Sequence, residues 1–111
     1  MAFALSVLRL IERLPQTAAG QTIGRQLAKS ATSVGANYRA ACNARSRAEF
    51  ISKLCIVVEE ADESVYWPDL IARTDPVVPE VTSVRQEAVE LRAIFSRSVG
   101  TARRHQRALK R

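Results

Sequence analysis

The stretch that decides the fold is Gln26–Trp67, QLAKSATSVGANYRAACNARSRAEFISKLCIVVEEADESVYW. On either side of its middle, apolar side chains recur every three or four residues, which places them on one face of an α-helix. The middle is a short polar corner, residues 43–46, in which Ser46 is a suitable N-cap and Glu49 completes a capping box. The stretch therefore predicts two amphipathic helices that fold back on each other as a hairpin.

The flanking segments predict one further helix on each side of the hairpin. Apolar residues from Phe3 to Leu14 form a helical stripe that Pro15 ends, because proline lacks a backbone donor and disfavours helical geometry in the residue before it. Pro79 and Glu80 suit the start of the last helix. The predicted helices span about residues 2–14, 21–43, 46–73 and 79–100. Short loops between them predict an all-α fold, an antiparallel up-down-up-down four-helix bundle formed by residues 1–100.

Two segments depart from this regular pattern. Pro68 removes a hydrogen bond to the carbonyl of Ser64, so we expect the third helix to kink near residue 68. The apolar stripe of the last helix ends at Gly100, and residues 101–111, TARRHQRALKR, carry many basic side chains. They predict a basic C-terminal extension or tail outside the core.

The net charge of +6 is divided into three blocks along the chain. Residues 1–58 hold eight basic and two acidic side chains, residues 59–91 hold two basic and nine acidic, and residues 92–111 hold seven basic and none acidic. Such blocks can attract one another within the fold or between subunits. The basic blocks also raise encounter rates with nucleic acid or anionic surfaces.

The sequence predicts a cytoplasmic protein without a membrane span. No run of about 18 uncharged apolar residues occurs, and Arg9, Glu12 and Arg13 interrupt the apolar N-terminal segment. Cys42 and Cys55 would lie about 9 Å apart along the hairpin axis, which exceeds the Cα separation of about 7 Å that a disulfide tolerates. We therefore expect two free thiols, both buried.

Ser33 and Asn37 are the polar residues that we expect in the core. They lie one helical turn apart on a helix that otherwise buries aliphatic side chains. A buried amide needs hydrogen-bond partners, since leaving it unmet costs about 1–3 kcal/mol. The pair is predicted to set the register of the bundle, and a functional site is the alternative.

The acidic turn of the third helix is predicted to be a solvated face or a subunit contact rather than a metal site. A di-iron bundle would require Glu-x-x-His on two helices, whereas the only histidine is His105 near the C-terminus. We expect no metal and no cofactor, and Glu59, Glu60 and Glu63 are the candidate subunit contacts. No catalytic triad, phosphate-cradling glycine loop or CxxC motif is present, so we predict no enzymatic activity.

A cluster of arginines is the main candidate functional site. If the fourth helix runs antiparallel to the third, its C-terminal end returns to the hairpin corner and two basic segments merge into one pole. The predicted nucleic-acid-binding residues are Arg39, Arg45, Arg47, Arg103, Arg104 and Arg107. Such side chains contact phosphates without reading sequence, and the binding is salt-dependent. No aromatic residue is interleaved with them in this interpretation, which argues against base stacking.

Three motifs in the hairpin resemble a known bacterial family. They are SVGAN at residues 33–37, RSRAEF at 45–50 and EEADE at 59–63, with Trp67 closing the segment. Together they resemble the four-helix bundle protein family, also called 23S rRNA intervening-sequence protein or ribosomal S23-like protein. The resemblance implies a left-handed bundle that assembles into a ring-shaped homo-oligomer, typically a pentamer. Pro68 departs from the family pattern, in which the third helix commonly continues.

The resemblance also implies partners. A related group is the accessory variability determinant of diversity-generating retroelements, in which a basic bundle oligomer binds reverse transcriptase and nucleic acid. Two hypotheses follow for this chain. The first is a non-enzymatic oligomeric bundle that binds RNA or DNA through its arginine-rich pole. The second is a protein-interaction scaffold whose charge blocks serve only self-assembly and a protein partner.

Overall fold

The computed structural model describes residues 1–74 and 78–109, and the regular structure within them is entirely helical. The four helices are α1 (Ala2–Glu12), α2 (Ala18–Cys42), α3 (Arg47–Thr74) and α4 (Glu80–Leu109). Both α1 and α3 pack against α2 and α4. Consecutive helices are therefore neighbours, and α1 faces α3 across one diagonal of the bundle. This confirms the predicted all-α four-helix arrangement, while the ring-shaped oligomer stays a prediction.

The core has two halves with different numbers of helices. We call the end with the α1–α2 and α3–α4 connections proximal, and the end with the α2–α3 corner distal. All four helices contribute to the proximal core, with Leu10, Leu27, Ile71 and Val84 at its centre. The distal core comes from α2, α3 and α4 alone. The reason is length: α1 has 11 residues, whereas the other helices have 25, 28 and 30.

The start of α2 differs from the sequence prediction. The helix begins at Ala18, three residues before the predicted start, because Thr17 acts as its N-cap. The Thr17 hydroxyl accepts a hydrogen bond of 3.1 Å from the backbone N–H of Gly20. The prediction followed the apolar stripe, which begins only at Ile23, and it overlooked the cap.

The hairpin corner contains the predicted N-cap with one change in its reciprocal bond. The Ser46 hydroxyl accepts a hydrogen bond of 3.1 Å from the N–H of Glu49. The Glu49 carboxylate accepts from the N–H of Arg45 at 3.2 Å, one residue before the donor that a standard capping box uses. Two backbone donors at this corner are thus satisfied by side chains.

α3 runs through Pro68 without interruption and ends at Thr74. The ring of Pro68 is fully buried. Burial of its apolar surface offsets the backbone hydrogen bond that proline cannot donate. The third helix therefore continues past residue 68, as the resemblance to the family implies.

α4 is longer than predicted. It continues beyond Gly100 to Leu109, with Ala102 buried and Gln106 half-buried on the core-facing side. The apolar stripe therefore extends past residue 100 through one small side chain, and most of the predicted extension is part of the helix. Residues 110 and 111 of the predicted extension lie outside the described residues. No helix in the described ranges has an apolar segment long enough to cross a membrane.

The polar pair in the core is not the predicted one. Ser33 and Asn37 are only half-buried, and the Asn37 amide donates to the Ser33 carbonyl of its own helix at 2.9 Å. The fully buried polar residues are Ser30 on α2 and Ser64 on α3, whose hydroxyl oxygens lie 3.2 Å apart. Ser30 lies three residues after Leu27, so helical spacing places it on the buried face of α2, but that spacing does not identify its partner on α3.

Both cysteines are free in the structure. Cys42 is exposed near the end of α2, whereas Cys55 is half-buried on α3. The predicted absence of a disulfide between them agrees with this arrangement, although only one of the two thiols is covered by neighbouring side chains.

Candidate functional site

The antiparallel packing of α3 and α4 brings the end of α4 to the hairpin corner. Val99 of α4 packs with Ala41 of α2 and Leu54 of α3. Farther along, Arg103 Nη2 lies 3.5 Å from the Sγ atom of Cys55. The two basic segments that are separated in sequence therefore meet at the distal end of the bundle.

We call the six arginines at this end the distal pole. All six side chains are exposed: Arg39, Arg45, Arg47, Arg103, Arg104 and Arg107. The described residues contain three ion pairs, Arg13–Glu80, Arg85–Asp69 and Arg92–Asp62, and none of them involves the pole. The guanidinium groups of the pole are thus available for an external anion.

Charge is strongly separated along the molecule, which is 55 Å long and 20 Å across. In the distal half, residues 36–58 and 92–109 hold nine basic side chains and one acidic side chain. That acidic side chain is Glu49, whose carboxylate caps the corner. The other described residues hold six basic and nine acidic side chains. Such a separation creates a field that orients a charged partner before contact.

Part of the pole also stabilises the helices. Arg39 lies in the last turn of α2 and Arg107 in the last turn of α4. Cations at these positions interact favourably with the negative end of the helix dipole, by about 0.3–1 kcal/mol each at low ionic strength. Arg45 and Arg104 do not lie in the last turn of a helix. Arg104 Nη2 donates a hydrogen bond of 3.2 Å to the Thr101 hydroxyl.

A depression of about 520 Å³ lies in the distal half, where no fourth helix covers α3. Its α3 wall is formed by Arg47 and Phe50, which are three residues apart and share one face of the helix. Its α4 wall consists of Ile94, Arg97, Ser98, Thr101, Ala102 and His105. We call it the distal depression.

The distal depression corrects two expectations from the sequence. An aromatic side chain, Phe50, does lie among the arginines. Because α1 is too short to cover the distal half, the Phe50 ring borders an open groove. Tyr38 falls at the helical spacing of the apolar stripe of α2, which predicts burial, yet it is 45% exposed and packs its ring against Phe95 with centroids 5.2 Å apart. Sequence reasoning also missed Arg97. The signal that could have revealed the α4 wall is the helical spacing of Ile94, Ser98 and His105.

The acidic residues of α3 lie away from the pole. Glu59 and Glu63 are exposed, whereas Glu60 is half-buried. Burial raises the pKa of the Glu60 carboxyl, and the negative charge of Glu63 raises it further, while Lys29 of α2 acts in the opposite direction. No group of three side chains suited to binding a metal ion occurs among residues 1–74 and 78–109. The role of Glu59, Glu60 and Glu63 as subunit contacts stays a prediction.

Comparisons with known proteins agree with the architecture. Residues 1–97 match the family model described as 23S rRNA-intervening sequence protein. The chain is also similar to a crystal structure of a protein with unknown function from the S23 ribosomal protein family of Bacteroides thetaiotaomicron VPI-5482, with 32% identity and a TM-score of 0.80. That similarity covers 88% of this chain and 92% of the other. No curated protein matches this chain. The protein belongs to the 23S rRNA-intervening sequence protein family.

Proposed function

We propose that the protein is a non-enzymatic bundle that binds nucleic acid, RNA or DNA, through its distal pole. The observation that carries the proposal is the meeting of six exposed arginines, outside every ion pair of the described residues, at one end of a charge-separated molecule. Arginine forms bidentate bonds with phosphate oxygens, and each contact adds affinity by releasing counterions.

The C-terminal part of the pole lies outside the region that matches the family model. Arg103, Arg104 and Arg107 lie beyond residue 97, where the match to the family model ends. Their helix nevertheless continues and packs on the corner that carries Arg45 and Arg47. The segment therefore raises the number of arginines in the distal pole from three to six.

Self-assembly is part of the same proposal. A ring-shaped homo-oligomer, the pentamer that the family resemblance implies, repeats the pole once per subunit. Several poles on one assembly raise the effective concentration of phosphate contacts and hence the avidity for a long nucleic acid. A cytoplasmic location is consistent with this role and stays a prediction.

Binding of a short RNA duplex between about 50 and 200 mM salt tests the proposal. The variant Arg45→Gln/Arg104→Gln/Arg107→Gln removes three positive charges from the pole. If all three arginines contact phosphates, the slope of log affinity against log salt falls by about 3. The matched control is Arg9→Gln/Arg25→Gln/Arg73→Gln, which removes the same charge from exposed sites in the proximal half. Equal losses in both variants, or no binding by the wild-type protein at low salt, would refute the proposal.

A scaffold that binds only itself and a protein partner is the second candidate. It is favoured by the cluster of like charges at Glu59, Glu60 and Glu63, whose repulsion a basic surface of another subunit or of a reverse transcriptase would relieve. The variant that converts these three residues to Gln is expected to lower the oligomer mass, measured by light scattering, if the cluster is a subunit contact. An unchanged mass would argue against this candidate.

A further inference from the structure

The distal depression combines features that the phosphate-binding proposal does not use. Its floor includes the ring of Phe50, which is half-buried and packs against the core formed by Ala41, Leu54 and Val99. The core therefore holds this ring at the border of the open groove. Base stacking on such a ring is tolerant of sequence because every nucleobase has a π-face.

Cationic and hydroxyl groups surround this ring from two helices. Arg47 approaches from α3 and Arg97 from α4, and both side chains are exposed. The same α4 wall carries the Ser98 and Thr101 hydroxyls and the His105 imidazole, which can bond to the edge of a base. An aromatic floor, polar groups at the edge and a guanidinium group on each helix are the parts that bind an unpaired nucleotide.

Three depressions elsewhere in the described residues lack this combination, and the one that adjoins the distal depression shares Phe50 and Arg47 with it but has no arginine from α4. The one around Leu14, Pro15 and Thr74 has no aromatic or charged side chain, and the neighbouring one around Leu8 has Arg25 but no aromatic ring. The one between the start of α1 and Tyr38 has aromatic rings but a carboxylate, Glu87, in place of an arginine.

We propose that the distal depression binds one unpaired nucleobase, which stacks on Phe50 while its flanking phosphates contact Arg47 and Arg97. This inference rests on the proposed nucleic-acid function and adds a preference to it. The other arginines of the pole hold the paired strands without selecting among them, whereas the depression selects structures with a bulged or looped-out base.

The test compares two short RNA duplexes, one fully paired and one with a single bulged 2-aminopurine. Wild-type protein is expected to bind the bulged duplex at least about fivefold more tightly and to quench the 2-aminopurine fluorescence by stacking. Phe50→Leu keeps an apolar side chain against the core but removes the aromatic face. It is expected to abolish both the preference and the quenching while binding of the paired duplex is unchanged.

Two further variants keep the result interpretable. Tyr66→Leu removes an exposed aromatic ring, 58% exposed, that lies outside the pole, and it should change neither measurement. Arg97→Gln alters an exposed side chain that the core does not need, and it should reduce the preference for the bulge even if Phe50→Leu fails to fold.

The outcomes separate this inference from the proposed function. Equal wild-type affinity for the two duplexes overturns the inference and leaves the phosphate-binding proposal in place, whereas binding of neither duplex overturns both. Loss of oligomer mass in Phe50→Leu would instead assign the depression to a contact between copies of the chain. That result would overturn the inference as well.

Discussion

The proximal and distal halves of the bundle are built from the same helices but differ in closure and in charge. The proximal half has four helices around its core and ion pairs that link helices, such as Arg13–Glu80 and Arg85–Asp69. The distal half has three helices, an open groove and a set of exposed arginines. The comparison indicates that the proximal half contributes more to stability, while the distal half carries the surface that we propose binds nucleic acid.

The largest expected effects come from the cores of the two halves. Leu27 and Leu54 are both essentially inaccessible to solvent, but Leu27 lies where four helices meet and Leu54 where three do. Leu27→Ala is expected to lower the free energy of unfolding by about 4 kcal/mol, and Leu54→Ala by about 3 kcal/mol, because an open site relaxes around a cavity more easily. Urea denaturation of both variants gives the two values. A larger loss for Leu54→Ala would contradict the contrast between closed and open halves.

The helix caps give the next largest effects. At the distal end, the Ser46 hydroxyl accepts a hydrogen bond from the Glu49 N–H, and the Glu49 carboxylate accepts one from the Arg45 N–H. At the proximal end, Thr17 accepts a single cap bond from the Gly20 N–H. Ser46→Ala is expected to cost about 1–2 kcal/mol and Thr17→Ala about 1 kcal/mol. Thermal unfolding followed by circular dichroism measures both. Equal losses would show that the Ser46 cap is no stronger than the Thr17 cap.

The sequence predicted the fold well because helical periodicity reports which face of each helix is buried. The same periodicity gave the hairpin corner and, through antiparallel packing, the merger of the two basic segments. It does not report how far one helix extends along its neighbours. The open distal half follows from the shortness of α1, so the exposure of Phe50 could not be inferred from its own position in the stripe.

The polar residues of the core were the second feature that the sequence did not predict. Ser30 and Ser64 occupy buried positions where alanine would fit equally well by size, so periodicity alone does not distinguish a polar contact from simple packing. Asn37 looked more suitable as a core amide, yet its side chain bonds its own helix. Which small residue faces another one depends on the axial register of α2 and α3, and a stripe of apolar residues does not fix it.

The buried serine pair predicts a non-additive effect in the proximal half. The Ser30 hydroxyl donates to the Leu27 carbonyl of its own helix. The Ser64 hydroxyl lies within bonding distance of two acceptors, the Glu60 carbonyl and the Ser30 oxygen. Ser30→Ala alone is expected to lower the free energy of unfolding by about 1 kcal/mol, because the buried Ser64 hydroxyl loses a partner. The double variant Ser30→Ala/Ser64→Ala is expected to lower it by little more, because no hydroxyl of the pair is then left without its partner. A double-mutant cycle by urea denaturation measures the coupling. Strict additivity would show that the two hydroxyls are independent.

The smallest expected effect concerns Glu60, at the boundary between the acidic and basic halves. Because burial, followed by the charges of Glu63 and Glu59, raises its pKa in the folded state, the folded protein binds this proton more tightly than the unfolded chain does. The free energy of unfolding is therefore greatest below the unfolded pKa and decreases as the pH rises towards the raised folded value. Above the raised folded value, the cost of holding the Glu60 charge in the folded state is fully present, and Glu60→Gln should then stabilise the protein by a few tenths of a kcal/mol.

Melting temperatures measured from neutral to acidic pH test this sign. The gain from Glu60→Gln should disappear once the pH falls below about 4, where the wild-type carboxyl is protonated in both states. The control Glu12→Gln removes the same charge from an exposed site on α1 and should leave the melting temperature nearly unchanged at neutral pH. A destabilised Glu60→Gln variant would instead mean that a cation stabilises the Glu60 carboxylate, either Lys29 of the same chain or a basic side chain of another subunit. If the destabilisation persists in Lys29→Gln, the cation lies on another subunit, and the acidic turn of α3 would then be a subunit contact rather than a solvated face.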